Sequence, residues 1–222
     1  MSNNPSVVKR YVYVWEGPVR ISHWLNFFCI IVLSLTGAYI HYPFISANEY
    51  VYGSYIMGTI RFVHYLCGVI FAFSVVMRLV WLFIGNDYSS WKAIPNPFKK
   101  EDRDMLIHYI KYYIFLEKNP PHTLAHNPVA LLAYIALFFL FILQIITGFA
   151  LWAQANPDGT LFALTGWVFN IVSNQWVRFY HYILMYLTAG FLINHIYSAV
   201  IFDFKSQSGE ISAIFSGWKA EK

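Results

Sequence analysis

Four histidines lie in apolar stretches of this sequence, where an ionisable side chain is unusual. They stand within or at the ends of long apolar runs: His23, His64, His181 and His195. The other four of the eight histidines fall in or beside more polar segments: His41, His108, His122 and His126. Burying an imidazole in lipid is costly, so a functional role is favoured over a merely satisfied polar residue. Neutral imidazole is the commonest side-chain metal ligand.

Charge-poor runs locate the elements that must hold these histidines. Four such runs cover about residues 21–40, 60–84, 128–153 and 178–202. Each has close to the ~20 residues that a helix needs to cross a bilayer, and each is too long for a barrel strand. Backbone polar groups in lipid are satisfied only within helices or closed barrels. The chain is therefore predicted to be all-α, an integral membrane four-helix bundle with residues 1–222 as a single membrane domain.

Composition excludes the other broad classes of protein. Of the 222 residues, 58% are hydrophobic and only 12% are charged, about half the usual charged share. So few charges could not cover a soluble domain. The net charge of +4 is too small and too scattered for a nucleic-acid footprint. The two cysteines, Cys29 and Cys67, lie in apolar runs and are expected to be reduced thiols. No internal repeat is expected.

The distribution of basic residues indicates the orientation. The segments 41–57 and 154–176 contain no Lys or Arg, whereas both tails and the segment 85–127 carry most of them. By the positive-inside rule, both termini and the 85–127 loop are predicted to be cytoplasmic. Within this loop, residues 105–116 read MLIHYIKYYIFL, too short to span a membrane, and predict an interfacial helix.

This orientation sorts the four histidines into two depths. His64 and His181 lie near the outer ends of the second and fourth spans, and His23 and His195 lie towards the cytoplasm. The predicted pairs are therefore His64 with His181, and His23 with His195. The fourteen residues from His181 to His195 return to nearly the same helix face, displaced by about 21 Å.

Two bis-histidine haem groups, one at each depth, explain this arrangement well. Imidazole is a common axial ligand of haem, and helix bundles hold cofactors between facing helices. No C-x-x-C-H motif is present, so non-covalent haem b is expected. Zinc fits less well because its ligands, three or four of them, must converge at one point. A proton relay would need Asp or Glu within the spans, which contain none.

The same spacing of fourteen residues selects two further residues. Gly37 follows His23 by fourteen and falls at the depth of the outer haem, where a side chain would block the macrocycle. Arg78 follows His64 by fourteen and could pair with a propionate of the cytoplasmic haem. A border charge that extends its head group to water is the alternative reading of Arg78. Other glycines (Gly68, Gly148 and Gly190) could simply let helices pack closely.

Several segments together resemble a known family. They are PVRISHW at 18–24, GNDYS at 85–89, YIFL at 113–116 and HNP at 126–128. In this order they resemble the b-type cytochrome subunit of membrane-bound nickel–iron uptake hydrogenases, over roughly residues 10 to 202. The first motif is shared with wider di-haem cytochrome b families, including formate dehydrogenase membrane subunits. The loop motifs discriminate better.

The resemblance implies a di-haem b subunit that anchors a periplasmic hydrogenase in the bacterial inner membrane and passes its electrons to the quinone pool. Its haem ligands would be those of the depth argument: His23, His64, His181 and His195. The partners implied are the hydrogenase large subunit, which carries out the hydrogen chemistry, and the small subunit, which contributes an iron–sulfur cluster and a C-terminal membrane helix. A higher-order oligomer of the complex is left open.

The resemblance also implies a quinone site at the start of the third span. Asn127 is the nearest match to the quinone-contacting residue, and His126 stands beside it. The alternative is that Asn127 and Pro128 only begin a helix, since Asn is a good N-cap and Pro a good first residue. Two other functions stay open, a subunit of another periplasmic oxidoreductase such as formate dehydrogenase, and a cofactor-free anchor or transporter.

Overall fold

A computed structural model describes residues 10–44, 55–96, 98–114, 116–117, 128–206 and 209–221. Its elements in chain order are β1 (Arg10–Tyr13), α1 (Gly17–His41), α2 (Ile56–Ile84), a 3₁₀ turn (Trp91–Ala93), α3 (Lys100–Tyr113), α4 (Pro128–Ala153), α5 (Thr160–Thr165), α6 (Val168–Ile171), α7 (Asn174–Ser206), α8 (Glu210–Ser216) and β2 (Trp218–Glu221). The predicted all-α class is confirmed, with one small sheet that was not expected.

Among the residues that the structure describes, four helices, α1, α2, α4 and α7, are long and apolar enough to cross a membrane. The chain is a multi-pass membrane protein, as predicted. Large apolar side chains face outward from these helices, among them Leu35 at 68% exposed and Ile193 at 71%. Such outward apolar faces suit a lipid environment, because a water-soluble surface would leave few of them uncovered.

Three of the spanning helices are longer than the charge-poor runs that predicted them. Helix α1 begins at Gly17, before Arg20, and α7 begins at Asn174 and ends at Ser206. Arg178, the first residue of the predicted run, therefore lies about one turn inside the helix. A helix continues past a charge at the membrane border because a long cationic side chain can extend its head group to water.

The chain divides into two compact units, each described by itself. The terminal unit comprises residues 1–21, 78–134 and 195–222, and the histidine unit comprises residues 22–77 and 135–194. The single membrane domain over residues 1–222 stays a prediction.

A two-stranded antiparallel sheet joins the two ends of the chain within the terminal unit. In β1 and β2, Val12 pairs with Lys219 and Tyr13 with Trp218. Val14 follows β1 and is fully buried, in a small core completed by Trp15, Val19 and Ala213. Helix α8 and β2 belong to a tail for which the motifs predicted nothing.

The Glu16 carboxylate accepts hydrogen bonds from three donors, one in the last turn of α2 and two in the segment that follows it. Its Oε2 accepts hydrogen bonds from Trp81 Nε1 at 2.8 Å, the backbone N–H of Asn86 at 2.8 Å and Ser89 Oγ at 2.9 Å. Partial burial raises the pKa of Glu16, but the three hydrogen bonds together lower it by more. The net pKa therefore lies below its ordinary value. Asn86 and Ser89 belong to the GNDYS motif, whose role here is structural.

Shorter helices lie in two further segments of the described chain. Helix α3 covers Lys100–Tyr113, which places a helix where residues 105–116 predicted one and extends it towards the N-terminus. Acidic Glu101 and Asp102 in its first turn favour this earlier start, since they interact well with the helix dipole. In the histidine unit, α5 and α6 follow α4, and Val168 of α6 is buried against Ala150 and Val177.

Candidate functional site

His64 on α2 and His181 on α7, one of the two predicted pairs, lie next to each other in the histidine unit with one ring edge-on to the other. Their ring centroids are 6.4 Å apart and the ring planes are inclined by 72°. Metal–imidazole nitrogen bonds are about 2 Å long, so two imidazoles on opposite sides of one metal ion have centroids on the order of 6 Å apart. The spacing of the pair fits a single metal ion between the rings.

A threonine on α1 determines which nitrogen of His64 carries the proton. Thr36 Oγ1 lies 2.7 Å from the carbonyl oxygen of Val32 and 2.8 Å from His64 Nδ1. The hydroxyl has one hydrogen, which it donates to the carbonyl, so it accepts from the Nδ1–H of His64. The lone pair of Nε2 is therefore left as the metal-binding group, in the manner typical of ligating histidines.

His181 has the same arrangement with a threonine of α4. Thr147 Oγ1 lies 2.7 Å from the carbonyl oxygen of Leu143 and 2.9 Å from His181 Nδ1. Gln144 Nε2 also donates to the backbone carbonyl of His181 at 3.2 Å, which ties the two helices together at this level. Within the described ranges, Nε2 of neither His64 nor His181 has a hydrogen-bond partner.

Each of these histidines packs against a glycine. A Cβ added to Gly37 would stand 3.4 Å from Cε1 of His64, and one added to Gly148 would stand 3.1 Å from Cε1 of His181. Gly37 thus lies at the level of this pair, and its predicted role beside a macrocycle stays a prediction. Gly148 does more than allow helix packing, because a side chain there would press on an imidazole. Gly68 and Gly190 have open space instead.

The two halves of this site repeat each other. A Thr-Gly pair on the first helix is followed by R-F-x-H-Y on the second, at residues 36–37 and 61–65 and again at residues 147–148 and 178–182. The expectation of no internal repeat therefore needs correction. It arose because the loops between these motifs differ in length by six residues and the remaining positions differ in sequence.

Four contacts of two kinds confirm the repeat in three dimensions. The two Thr–His hydrogen bonds join α1 to α2 and α4 to α7. Tyr65 stacks on Trp152 at 4.6 Å, joining α2 to α4, and Tyr182 stacks on His41 at 3.8 Å, joining α7 to α1. Each tyrosine follows its histidine by one residue, and each stacking partner follows its threonine by five. The four helices form a closed ring with local twofold symmetry.

The other two predicted ligands belong to different units. His23 is in the histidine unit, with its ring 5.2 Å from that of Trp24. His195 is in the terminal unit, where Tyr134 OH lies 3.4 Å from its Nδ1 and the ring centroids are 5.7 Å apart. The pairing of His23 with His195 stays a prediction.

The remaining predicted site residues divide into described and undescribed positions. Arg78 is half-buried and makes no hydrogen bond or ion pair with any residue in the described part of the chain. Its role towards a propionate stays a prediction. His126 and Asn127 lie outside the described residues, immediately before α4 begins at Pro128.

Four apolar spanning helices that enclose two opposed imidazoles define a multi-pass membrane protein of the cytochrome b class. A family model described as prokaryotic cytochrome b561 matches residues 14–217, and the chain belongs to this family. As a b-type cytochrome it binds haem b. The protein side of the His64 and His181 pair fits this group, with both Nδ1 atoms engaged and small residues against both rings.

Relatives of the chain match over almost its full length. A Ni/Fe-hydrogenase B-type cytochrome subunit of Bradyrhizobium diazoefficiens is 37% identical, with 97% of this chain and 89% of the relative covered. The corresponding protein of Rhizobium leguminosarum bv. viciae is 36% identical, covering 96% and 90%. The Ni/Fe-hydrogenase 1 B-type cytochrome subunit of Escherichia coli K12 is 33% identical, covering 95% and 91%. The family resemblance indicated by the sequence motifs is confirmed.

Proposed function

We propose that this protein is the di-haem b subunit of a membrane-bound nickel–iron hydrogenase and conducts electrons from the hydrogenase to the quinone pool. The observation that carries the proposal is the pair of His64 and His181, each with its Nδ1–H bonded to a threonine and its Nε2 left for a metal. Haem b supplies reversible one-electron transfer at such a site. The names of the relatives support the hydrogenase as electron donor.

The residues around the pair suit this task. Thr36 and Thr147 fix the imidazole orientation, so little rearrangement is required of the ligands when the charge of a metal changes. The apolar helices α1, α2, α4 and α7 would give the site a surrounding of low dielectric constant. A low dielectric strengthens each of these hydrogen bonds.

We propose His23 and His195 as the ligands of the second haem. The motive is the spacing along α7, where fourteen residues separate His181 from His195 on nearly the same face. Tyr134 beside His195 Nδ1 would play the part there that a threonine plays for His64. Arg78 would neutralise a propionate of this second haem.

The proposed orientation puts both termini and the 85–127 loop in the cytoplasm and the protein in the bacterial inner membrane. The absence of Lys and Arg from segments 41–57 and 154–176 supports it. The hydrogenase small subunit, with its iron–sulfur cluster and C-terminal membrane helix, and the large subunit would then lie on the outer side. A cysteine introduced at Thr160 of α5 should react with a membrane-impermeant reagent added from outside; labelling only from the cytoplasm would overturn this orientation.

The proposed quinone site lies at His126 and Asn127, at the cytoplasmic end of α4. A quinone that is being reduced needs protons and donors for its carbonyl oxygens, and a site near cytoplasmic water can provide both. Asn127 can donate a hydrogen bond and His126 can relay a proton. Asn127→Ser keeps a good N-cap, so quinone reduction should fall while both haems are retained. Unchanged quinone reduction would leave only the capping role.

A subunit of another periplasmic oxidoreductase, such as formate dehydrogenase, is the second candidate. The motif PVRISHW at 18–24 favours neither, because both families share it. The hydrogenase names of the relatives favour the first. Copurification with a nickel–iron large subunit from the native membrane would support the hydrogenase, and copurification with a molybdenum-containing dehydrogenase would support the alternative.

Haem quantitation in the purified complex tests the proposal as a whole. The wild-type complex should contain two haems per copy of this chain. His64→Ala and His181→Ala should each remove one haem, and His23→Ala and His195→Ala should each remove the other. His108→Ala on exposed α3 is the matched control and should leave both. Two haems with unaltered spectra in both His64→Ala and His23→Ala would show that the ligand assignment is wrong.

A further inference from the structure

Two arginines stand out in the histidine unit because it contains no other Lys or Arg. Residues 22–77 include only Arg61, and residues 135–194 include only Arg178. The proposed outer side of the membrane is depleted of Lys and Arg, so basic residues kept there need a specific reason. Phosphates, carboxylates and other anions are the groups for which arginine is suited.

Both arginines hold the same position relative to a proposed metal ligand. Arg61 precedes His64 by three residues on α2, and Arg178 precedes His181 by three residues on α7. Three residues along a helix correspond to about 4.5 Å, and the two side chains share a face. Side chains lean towards the N-terminus of their helix, so each guanidinium extends beyond its histidine towards the start of the helix.

The local twofold symmetry of the ring determines where two such groups can meet one ligand. The Thr–His bonds and the Tyr stacks exchange α1 with α4 and α2 with α7, and successive spans alternate in direction. The symmetry axis therefore runs along the helices and passes between His64 and His181. It relates Arg61 to Arg178.

Haem b matches this symmetry. Its two propionates are on neighbouring pyrroles at one edge, and an axis in the haem plane that bisects this edge exchanges both the propionates and the two faces. When each face receives one of two equivalent histidines, this axis coincides with that of the protein. The propionate edge would then point along the helices, and each propionate would belong to one half of the repeat.

The geometry points to Arg61 and Arg178 as the partners of the two propionates of the haem held by His64 and His181, one arginine for each. This inference rests on the proposed haem ligation of that pair. The number of cations equals the number of propionates, and both cations stand at the same end of the site. Bidentate bonds between guanidinium and carboxylate are among the strong hydrogen bonds of proteins.

The described contacts leave both guanidinium groups able to bind an anion. Arg178 Nε donates to Asn174 Oδ1 at 2.8 Å and Nη2 donates to Gln154 Oε1 at 3.3 Å, which uses two of its five N–H groups. Arg61 makes no hydrogen bond or ion pair with any residue that the structure describes. Neutral amides position Arg178 without cancelling its charge, so the charge stays available for a propionate.

The test uses the purified complex with Arg61→Gln, Arg178→Gln and the double variant. Each single change should accelerate transfer of one haem to excess apomyoglobin by about tenfold, since a charge-assisted hydrogen bond is lost. Removing a positive charge should also lower the midpoint potential of that haem. In Arg61→Lys and Arg178→Lys the midpoint potential should stay close to the wild-type value, because the positive charge remains. Haem transfer to apomyoglobin should still be somewhat faster than in the wild type, because the bidentate hydrogen bond is lost.

Arg103→Gln on α3, an exposed cation outside the histidine unit, is the control and should change neither quantity. The haem assigned to His23 and His195 reports that each variant is folded. A double variant with two haems, an unchanged release rate and unchanged potentials would overturn the inference. If His64 is not a haem ligand, His64→Ala will retain two haems. That separate result would overturn the proposed ligation and, with it, the role inferred for the two arginines.

Discussion

Thr36 Oγ1 and His64 Nδ1 are 2.8 Å apart, and the same hydroxyl is 2.7 Å from the carbonyl oxygen of Val32. The helix α1 backbone thus determines the tautomer of an imidazole on α2. Because the carbonyl orients the hydroxyl, the hydroxyl oxygen always presents a lone pair to the imidazole. The bond partly withdraws the Nδ1 proton and makes Nε2 a better electron donor to a metal.

Replacing either threonine by valine should raise the midpoint potential of the haem at His64 and His181. Valine keeps the shape and removes the acceptor, so the oxidised metal loses electron density that stabilised it. A hydrogen bond of about 1 kcal/mol corresponds to roughly 40 mV for one electron. Redox titration of Thr36→Val and Thr147→Val measures this shift.

Thr165→Val is the matched control for these variants. Thr165 Oγ1 bonds to the carbonyl oxygen of Leu161 at 2.7 Å, as Thr36 bonds to that of Val32, but it has no hydrogen bond to any histidine that the structure describes. This variant should keep the wild-type potential. Equal potentials in all three variants and the wild type would mean that the threonines do not act on the ligands.

Gly148→Ala should disturb haem binding more than Gly37→Ala. The new Cβ would lie 3.1 Å from Cε1 of His181 in the first variant and 3.4 Å from Cε1 of His64 in the second. The closer approach forces the imidazole to shift by several tenths of an ångström, which weakens its alignment with a metal. Haem content and low-temperature α-band spectra measure the effect, with Gly190→Ala, which meets open space, as the control. A larger effect in Gly190→Ala than in Gly148→Ala would contradict this order.

Glu16→Gln should lower the stability of the terminal unit. The amide can still accept from some of the three donors, but the charge that strengthens those bonds is gone. A loss of about 1 kcal/mol is expected, because this charged acceptor is only partly buried and solvent screens part of its charge. Thermal unfolding in detergent measures it, and Asp104→Asn, on the exposed face of α3, is the control that should leave the transition unchanged.

The contribution of Glu16 to stability should depend on pH. Its pKa in the folded protein lies below the ordinary 4.5, so ionisation favours the folded state. The contribution is therefore fully present above 4.5 and is lost as the pH falls through the lower folded value. Unfolding of wild type and Glu16→Gln should differ at neutral pH and converge in acid. A difference that grows in acid would be incompatible with this sign.

Much of the fold was predictable because a membrane protein shows two clear patterns in its sequence, long apolar runs and rare ionisable residues within them. Apolar length located α1, α2, α4 and α7, and each histidine in an apolar run was an exception that had to be explained. Depth then paired His64 with His181, which the structure brings together. These two signals are strong because soluble proteins rarely contain such long apolar runs, and rarely place histidines within them.

Thr36 and Thr147 were missed for a physical reason. Threonine is common in membrane helices, where it usually bonds to its own preceding turn, and only the partner across the helix interface makes it part of a site. The repeated R-F-x-H-Y with its Thr-Gly pair was the signal that could have found them. The strands β1 and β2 had no such signal, because four residues at each end of a long chain show no usable periodicity.

The pairing of β1 with β2 has a consequence for the order of assembly. Strand β2 follows all four spanning helices in the chain, so β1 has no partner until the last of them has been synthesised. Val14 and Trp15 donate their N–H groups to the carbonyl oxygen of Gly217, and the Val14 side chain is buried only when α8 has arrived. The sheet therefore closes late in biogenesis and fastens the first segment to the last only once membrane insertion is complete.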